Sequence, residues 1–409
     1  MSGKKTFFAV DDDALFVELL ATLLKKAGHE VATFSSGVEA LAEIIEKKPD
    51  CVLIDIFMPE MDGLELCRAI RAHGDLAATK IIIISAKNYE FDKNRAMEFG
   101  ANGYIVKPFD PDSIADQIED ILTDSFALTF WGVRGTLPVP GHKSTRYGGN
   151  TSCVSLNFQN GDWFIFDCGS GIKELSNHLM ASGVQRLTAK IFISRPHWDH
   201  INAFPFFVPL YIPGNDVEVF GASHGDTTMR ELISNQMDGV YFPVTMREFG
   251  ARVYFHDLRE EKIRINGAEI STMLLSHPGY CLGYRVDYHG RSICYITDNE
   301  LFLPGSQGHN PNYVERLKDF IRGADALIAD CTYFDEDYGA KVGWGHSCIS
   351  QVVDLAHGGE VETLYLFHHD PDQDDTAIER KHALAQAALK ALGSNTKCLA
   401  PAEGDRIVF

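Results

Sequence analysis

Up to residue 122, short apolar runs alternate with stretches of helical period. Phe7-Phe8-Ala9-Val10 reads as a strand ending in Asp11-Asp12-Asp13. An amphipathic helix follows, with Leu15, Leu19, Leu20, Leu23 and Leu24 expected on one face and Gly28 ending it. The order recurs as strand 31–34, helix 38–47, strand 51–55, a helix, strand 81–85, a helix, strand 103–106 and helix 113–122. Apolar strands separated by helices predict an α/β unit, a parallel sheet of five strands covered on both faces.

Thr123-Asp124-Ser125-Phe126 then joins two halves without a Gly/Ser or Pro-rich spacer, which gives expected domains 1–124 and 125–409. Beyond it the pattern becomes mixed. Strands 154–158 and 163–166 flank Gln159-Asn160-Gly161, an Asn-Gly turn signal. Asp167-Cys168-Gly169-Ser170-Gly171 leads into helix 172–180, either as an anion-holding turn or as a plain strand-to-helix link. The apolar run 189–193 leads into Ser194-Arg195-Pro196-His197-Trp198-Asp199-His200. Phe204 to Tyr211 is apolar and broken by proline, which suits core or a pocket wall.

Bulk properties narrow the class. A chain of 409 residues holds two or three domains with sizeable cores. A formal charge of -20 argues against a general nucleic-acid coat or an anionic membrane surface as partner. Nine scattered cysteines without a Cys-x-x-Cys pair read as reduced thiols of a cytoplasmic protein. The start runs straight into three aspartates, unlike a signal peptide, and no apolar run approaches the roughly 20 residues that span a bilayer.

In a parallel sheet, ligands bind at the carboxyl ends of the strands. The polar residues there are Asp11, Asp12, Asp55, Ser85 and Lys107. Carboxylates bind Mg²⁺ through oxygen, and one can accept a phosphoryl group. Lys107 supplies a point charge and Ser85 a hydroxyl for that group. Residues 4–122 closely resemble the receiver domain of response regulators, with Asp11-Asp12, Asp55, Met58-Pro59, Asp62-Gly63, Ser85-Ala86, Tyr104 and Lys107-Pro108-Phe109 all in their places. The resemblance implies a flavodoxin-like sheet and Mg²⁺ on Asp11, Asp12, Asp55 and the Phe57 carbonyl. It also implies phosphorylation of Asp55 by a sensor histidine kinase or phosphotransfer protein. The phosphate then draws in Ser85 and reorients Tyr104.

His197, Asp199 and His200 fall within four residues just past a strand, a density of costly polar groups that points to metal. Later strand ends carry His277, Asp298, His346 and the pair His368-His369. Residues 127–409 resemble the metallo-β-lactamase fold, closest to its phosphodiesterase-like branch. The implied fold is an α+β four-layer αββα sandwich with metals at one edge. By the same resemblance His197 and His277 belong to site one, Asp199, His200 and His368 to site two, and Asp298 bridges. His369 is the alternative to His368, and His346 assists the leaving group.

Arg195 departs from the family pattern, standing where the signature has its first histidine. Arginine cannot ligate a metal and stays charged. One tightly held ion at site two is therefore expected, with weak or absent binding at site one. Zinc, iron or manganese suits such a His/Asp site. Two functions are consistent with these residues. One is a metal-dependent hydrolase of a small phosphodiester or cyclic nucleotide, with Arg195 partly replacing the lost metal. The other is a degenerate module that binds a nucleotide or protein and reports phosphorylation. No DNA-binding motif follows the first domain, and a homodimer stays open.

Overall fold

The computed structural model describes residues 4–87, 90–111, 113–123, 125–159, 161–182, 184, 186–240 and 242–409. Asp124 of the expected boundary and Asn160 of the expected turn lie outside the described residues. The bulk of one compact unit is Met1–Ser125; the other comprises Phe126–Asn157 and Gly161–Phe409.

The first unit is built on strands β1 (Thr6–Val10), β2 (Glu30–Phe34), β3 (Cys51–Ile54), β4 (Lys80–Ser85) and β5 (Gly103–Val106). All pairings are parallel, in the order β2-β1-β3-β4-β5. β3 is buried along its whole length, which is why Cys51-Val52-Leu53-Ile54 is continuously apolar rather than alternating. The chain order reverses between β1 and β3, so the ends of these two strands flank the natural ligand crevice.

The first helix corrects one expectation. Helix Ala14–Lys26, capped by the Asp13 side chain, buries Val17, Leu20, Ala21 and Leu24. Leu15 is 80% exposed and Leu19 44%. The buried set follows i, i+3, i+4, i+7; Leu15 and Leu19 belong to a neighbouring stripe of the same leucine-rich surface.

Among the described residues, the second unit packs two sheets of seven strands each. The first contains β6 (Phe126–Gly132), β7 (Cys153–Phe158), β8 (Asp162–Phe166), β9 (Thr188–Ile193), β10 (Asp216–Ala222) and β11 (Arg252–Leu258). The second contains β12 (Lys262–Ile265), β13 (Ala268–Leu274), β14 (Leu282–Tyr288), β15 (Arg291–Ile296), β16 (Ala326–Asp330), β17 (Thr363–Phe367) and β18 (Lys397–Leu399). The last strand, β19 (Arg406–Val408), returns to pair antiparallel with β6.

Aromatic residues fill the space between the sheets: Phe166 of β8 meets Tyr284 and Tyr295, and Phe130 of β6 meets Tyr365 and Phe367. Outside the first sheet, Ile172, Leu175 and Leu179 of helix Ile172–Ala181 join the core of β8 and β9. Outside the second, helices Pro311–Ile321, Ile349–Gly358 and Asp375–Ala391 bury Leu317, Val352 and Leu389 in the core of β15 to β17. The layer order is thus helix, sheet, sheet, helix. Phe204, Phe207 and Leu210 of the Pro-broken stretch are core residues, and Phe206 is half exposed.

Three parallel strands decide where the polar residues meet. β15, β16 and β17 run in the same direction, so the carboxyl ends bearing Asp298, Asp330 and His368 share one edge.

Candidate active site

In the first unit, Asp11 follows β1 and Asp55 follows β3, both buried. The Lys107 ammonium joins them, 2.6 Å from Asp11 Oδ2 and 2.9 Å from Asp55 Oδ1. Burial pushes the Asp11 carboxyl up, against the pull of the Lys107 ammonium. The Phe57 amide donates to Asp55 Oδ2 at 2.5 Å, fixing the carboxylate. Gly63 is required here, because a Cβ would meet the Asp55 carbonyl oxygen at 2.1 Å. Asp12 is exposed, and among the described residues no trio of ligand atoms in this unit closes to within 4.8 Å. Two carboxylates gathered on one ammonium, with the exposed Asp12 beside them in the chain, are a donor set that suits Mg²⁺, which keeps several waters. Ser85 is fully buried, and Tyr104 is buried with its hydroxyl donating to the Lys87 carbonyl at 2.9 Å.

In the second unit, Asp199, His200, Asp298 and His368 each offer one ligand atom, all within 4.8 Å of one another and all buried. His200 Nε2 lies 3.1 Å from Asp199 Oδ2 and 3.2 Å from Asp298 Oδ1. His368 Nε2 lies 3.2 Å from the same two oxygens. A tetrahedron with metal–ligand bonds of about 2.0–2.1 Å has edges of about 3.3 Å. The four nitrogen-to-oxygen separations thus match the donor spacing of a first-row metal site. His200 Nε2 also makes no well-aligned hydrogen bond despite its burial. Both facts fit a metal ion. Burial opposes ionised Asp199, yet the His200 and His368 imidazoles outweigh it and hold the carboxyl well below its usual range.

The rings are aimed from behind. His200 Nδ1 lies 2.7 Å from Asp167 Oδ2, which also accepts from the Ser194 and Tyr295 hydroxyls. His368 Nδ1 lies 3.2 Å from Thr332 Oγ1. The Thr136 amide donates to Asp199 Oδ2 at 2.8 Å. Such outer partners set the tautomer and basicity of a ligand. The backbone is itself unusual: Asp167, Asp298 and His368 have φ of 60°, 45° and 57°. Non-glycine residues in the left-handed region cluster at functional sites.

Arg195 occupies the other half of the site. Its guanidinium is buried, 2.6 Å from Asp298 Oδ2 and 3.6 Å from Asp199 Oδ1, and its other terminal nitrogen contacts His277 Nε2. His277 Nδ1 lies 2.8 Å from the Gly345 carbonyl, so Nδ1 donates and Nε2 accepts. Burial first, and the Arg195 charge second, lower the His277 imidazole to about 4. His346 is close by, its ring 5.3 Å from that of His277 and 4.9 Å from that of His368. Its Nδ1 lies 2.8 Å from Asp330 Oδ2. Burial disfavours the His346 imidazolium, but the Asp330 carboxylate more than offsets this and the net direction is up.

Of the expected donors, His197 stands apart. It is exposed, with its ring 5.5 Å from that of His277, and it joins none of the clusters of ligand atoms. His369 is also not among them; its Nδ1 lies 3.3 Å from the buried Lys381 ammonium.

The Response regulator receiver domain family matches residues 7–119, and the Beta-lactamase superfamily domain family matches residues 162–369, half of the chain. The chain belongs to both families. It is a response regulator receiver fused to a metallo-β-lactamase-fold domain. The DNA-binding response regulator MtrA of Mycobacterium leprae is 32% identical over 158 residues, 38% of this chain and 69% of that protein. Among solved structures, the metallo-beta-lactamase fold protein YhfI of Bacillus subtilis aligns over 70% of this chain and 100% of its own, at 14% identity and a TM-score of 0.49. The short form of human tRNase Z aligns over 69% and 98%, at 20% identity and a TM-score of 0.46.

Within the metallo-β-lactamase-fold domain, sequence reasoning missed several supporting residues. Asp330 holds His346, and Thr332 caps Asp330 with its amide at 3.0 Å and its hydroxyl at 2.6 Å. Glu300 accepts from the Tyr338 hydroxyl and the Gly343 and Gly345 amides, which pins the loop carrying His346. Gly345 has φ 89°, and a Cβ there would meet His277 Nδ1 at 2.2 Å. One signal was available: Asp167 and Asp330 are carboxylates at the ends of uniformly buried strands, and Asp298 closely follows a strand buried beyond its first residue.

Proposed function

We propose that this response regulator, with its domains meeting at 124/125, controls a metal-dependent phosphodiester hydrolase in the cytoplasm. The observation that carries the reading is the buried four-donor set Asp199, His200, Asp298 and His368 beside the Arg195 guanidinium. Those four residues would hold one zinc, iron or manganese ion, which supplies Lewis acidity to a phosphoryl oxygen when bound. Arg195 offers a fixed positive charge to the phosphate where relatives are expected to place a second ion. His346, with Nδ1 committed to Asp330, keeps Nε2 for a proton that it delivers to the departing alkoxide. His277 positions Arg195.

In the receiver domain, Asp55 accepts the phosphoryl group from a histidine kinase or phosphotransfer protein, with Mg²⁺ on Asp11, Asp12 and Asp55. Lys107 and Ser85 then bind the new phosphate, and Tyr104 turns with them.

A second reading has its own support. The guanidinium already engages Asp298 Oδ2 and His277 Nε2, which favours a ligand-binding output without turnover. Metal per chain and cyclic-nucleotide turnover, each measured with and without acetyl phosphate, separate the two. Near one ion per chain with turnover supports the hydrolase. A folded protein without metal or turnover supports the binding module.

A further inference from the structure

The loops carrying His197, His277 and His346 converge, their rings 5.5 Å and 5.3 Å apart in succession. Each loop also exposes one aromatic side chain. Trp198, next to His197, is 81% exposed; Tyr280, three residues after His277, is 50% exposed; Trp344, two residues before His346, is 59% exposed. Single exposed aromatics are ordinary on a protein surface, but three on three convergent site loops are not scattered. The other two tryptophans, Trp131 and Trp163, are partly or largely buried. The Trp344 ring also carries a cation on one side, with the Lys341 ammonium 4.3 Å from its centre. Lys341 lies 5.7 Å from the Tyr333 ring, which in turn packs 5.9 Å from His346.

We infer that Trp198, Trp344 and Tyr280 form a stacking rim that selects phosphodiesters bearing a nucleobase. This rests on the phosphodiester reading of the site and names its substrate class. Rings of this kind bind any base through its π-face, while the phosphate goes inward to Arg195. The occupant is a small nucleotide rather than a polynucleotide, because a chain of net charge -20 repels a long phosphate backbone.

The test uses the full-length protein and intrinsic tryptophan fluorescence. The probes are the 3′,5′-cyclic monophosphates of adenosine, guanosine, cytidine and uridine, with glycerophosphoethanolamine as a phosphodiester lacking a ring. The wild type should bind at least one cyclic nucleotide more tightly than glycerophosphoethanolamine. Trp198→Ala and Trp344→Ala should each shrink that preference, roughly five- to a hundredfold if stacking has its usual strength. Equal affinity for all five probes, or an unchanged preference in both variants, overturns the rim. Ring-dependent binding without turnover at any metal loading upholds the rim and removes the hydrolase reading. Turnover with no ring dependence does the reverse. Isothermal titration supplies the affinities of variants whose fluorescence response is reduced.

Discussion

Arg195 and Asp298 form an ion pair of 2.6 Å within the donor cluster of the metallo-β-lactamase-fold domain. The same guanidinium contacts the His277 nitrogen that would otherwise be free to ligate. Arg195→His should therefore release His277 and Asp298 for a second ion. Metal content by elemental analysis should rise from near one towards two per chain. An unchanged stoichiometry would count against Arg195 as the group that closes site one.

Asp55 is the carboxylate fixed jointly by Lys107 and the Phe57 amide. Asp55→Asn should abolish labelling by acetyl phosphate while leaving the fold and the metal content of the other domain unchanged. Labelling that persists, read by acid-stable mass shift or phosphate-affinity gel, would mean another acceptor.

His346 is buried and backed by Asp330. His346→Ala should lower kcat by about 10²–10⁴-fold with metal retained, the range for loss of a positioned acid. Asp330 outweighs burial and raises the His346 pKa, so the wild type keeps the acid form to higher pH than an isolated imidazole. Asp330→Asn should then move the alkaline limb of the kcat profile to lower pH. A rate unaffected by His346→Ala would remove it from the mechanism.

Lys381 is fully buried, donating to the carbonyls of Cys331 at 2.6 Å and Thr332 at 3.0 Å. Burial lowers its pKa from 10.5 to about 8. The folded state thus gives up the proton before the unfolded state does. The cost of the buried charge is present in full below about pH 8 and disappears as pH rises towards 10.5. Relative to Lys381→Met, the wild type should gain on the order of 3 kcal/mol between those limits, by 1.36 kcal/mol per pKa unit. Denaturant melts of both proteins at pH 7.5 and 10 give the comparison; a constant difference would show that the lysine does not titrate there.

The strands were legible because burial on both faces leaves a continuous apolar signature, as in Cys51 to Ile54 and Ile191 to Ile193. The face of the first helix was less so. Leucines at 15, 19, 20, 23 and 24 give two overlapping stripes, and small Val17 and Ala21 decide which one enters the core. Asp199, His200, Asp298 and His368 were found as strand-end polar residues, and the fold brought them together. His368 could not be separated from His369 by position alone. The direction of each ring depends on the backbone turn at His368, whose φ of 57° no residue pattern announces. The identity of Arg195 was plain in the sequence, but its contact with His277 spans 82 residues and exists only once the sheets have formed.

The left-handed backbone at Asp167, Asp298 and His368 bears on how this protein changes by mutation. Each such residue costs of order 1–3 kcal/mol, and glycine or asparagine would relieve much of it. Asp298→Gly or His368→Gly would relax the backbone and remove a donor, and Asp167→Gly would remove the carboxylate behind His200. Stability and the donor set therefore make opposite demands on the same three positions.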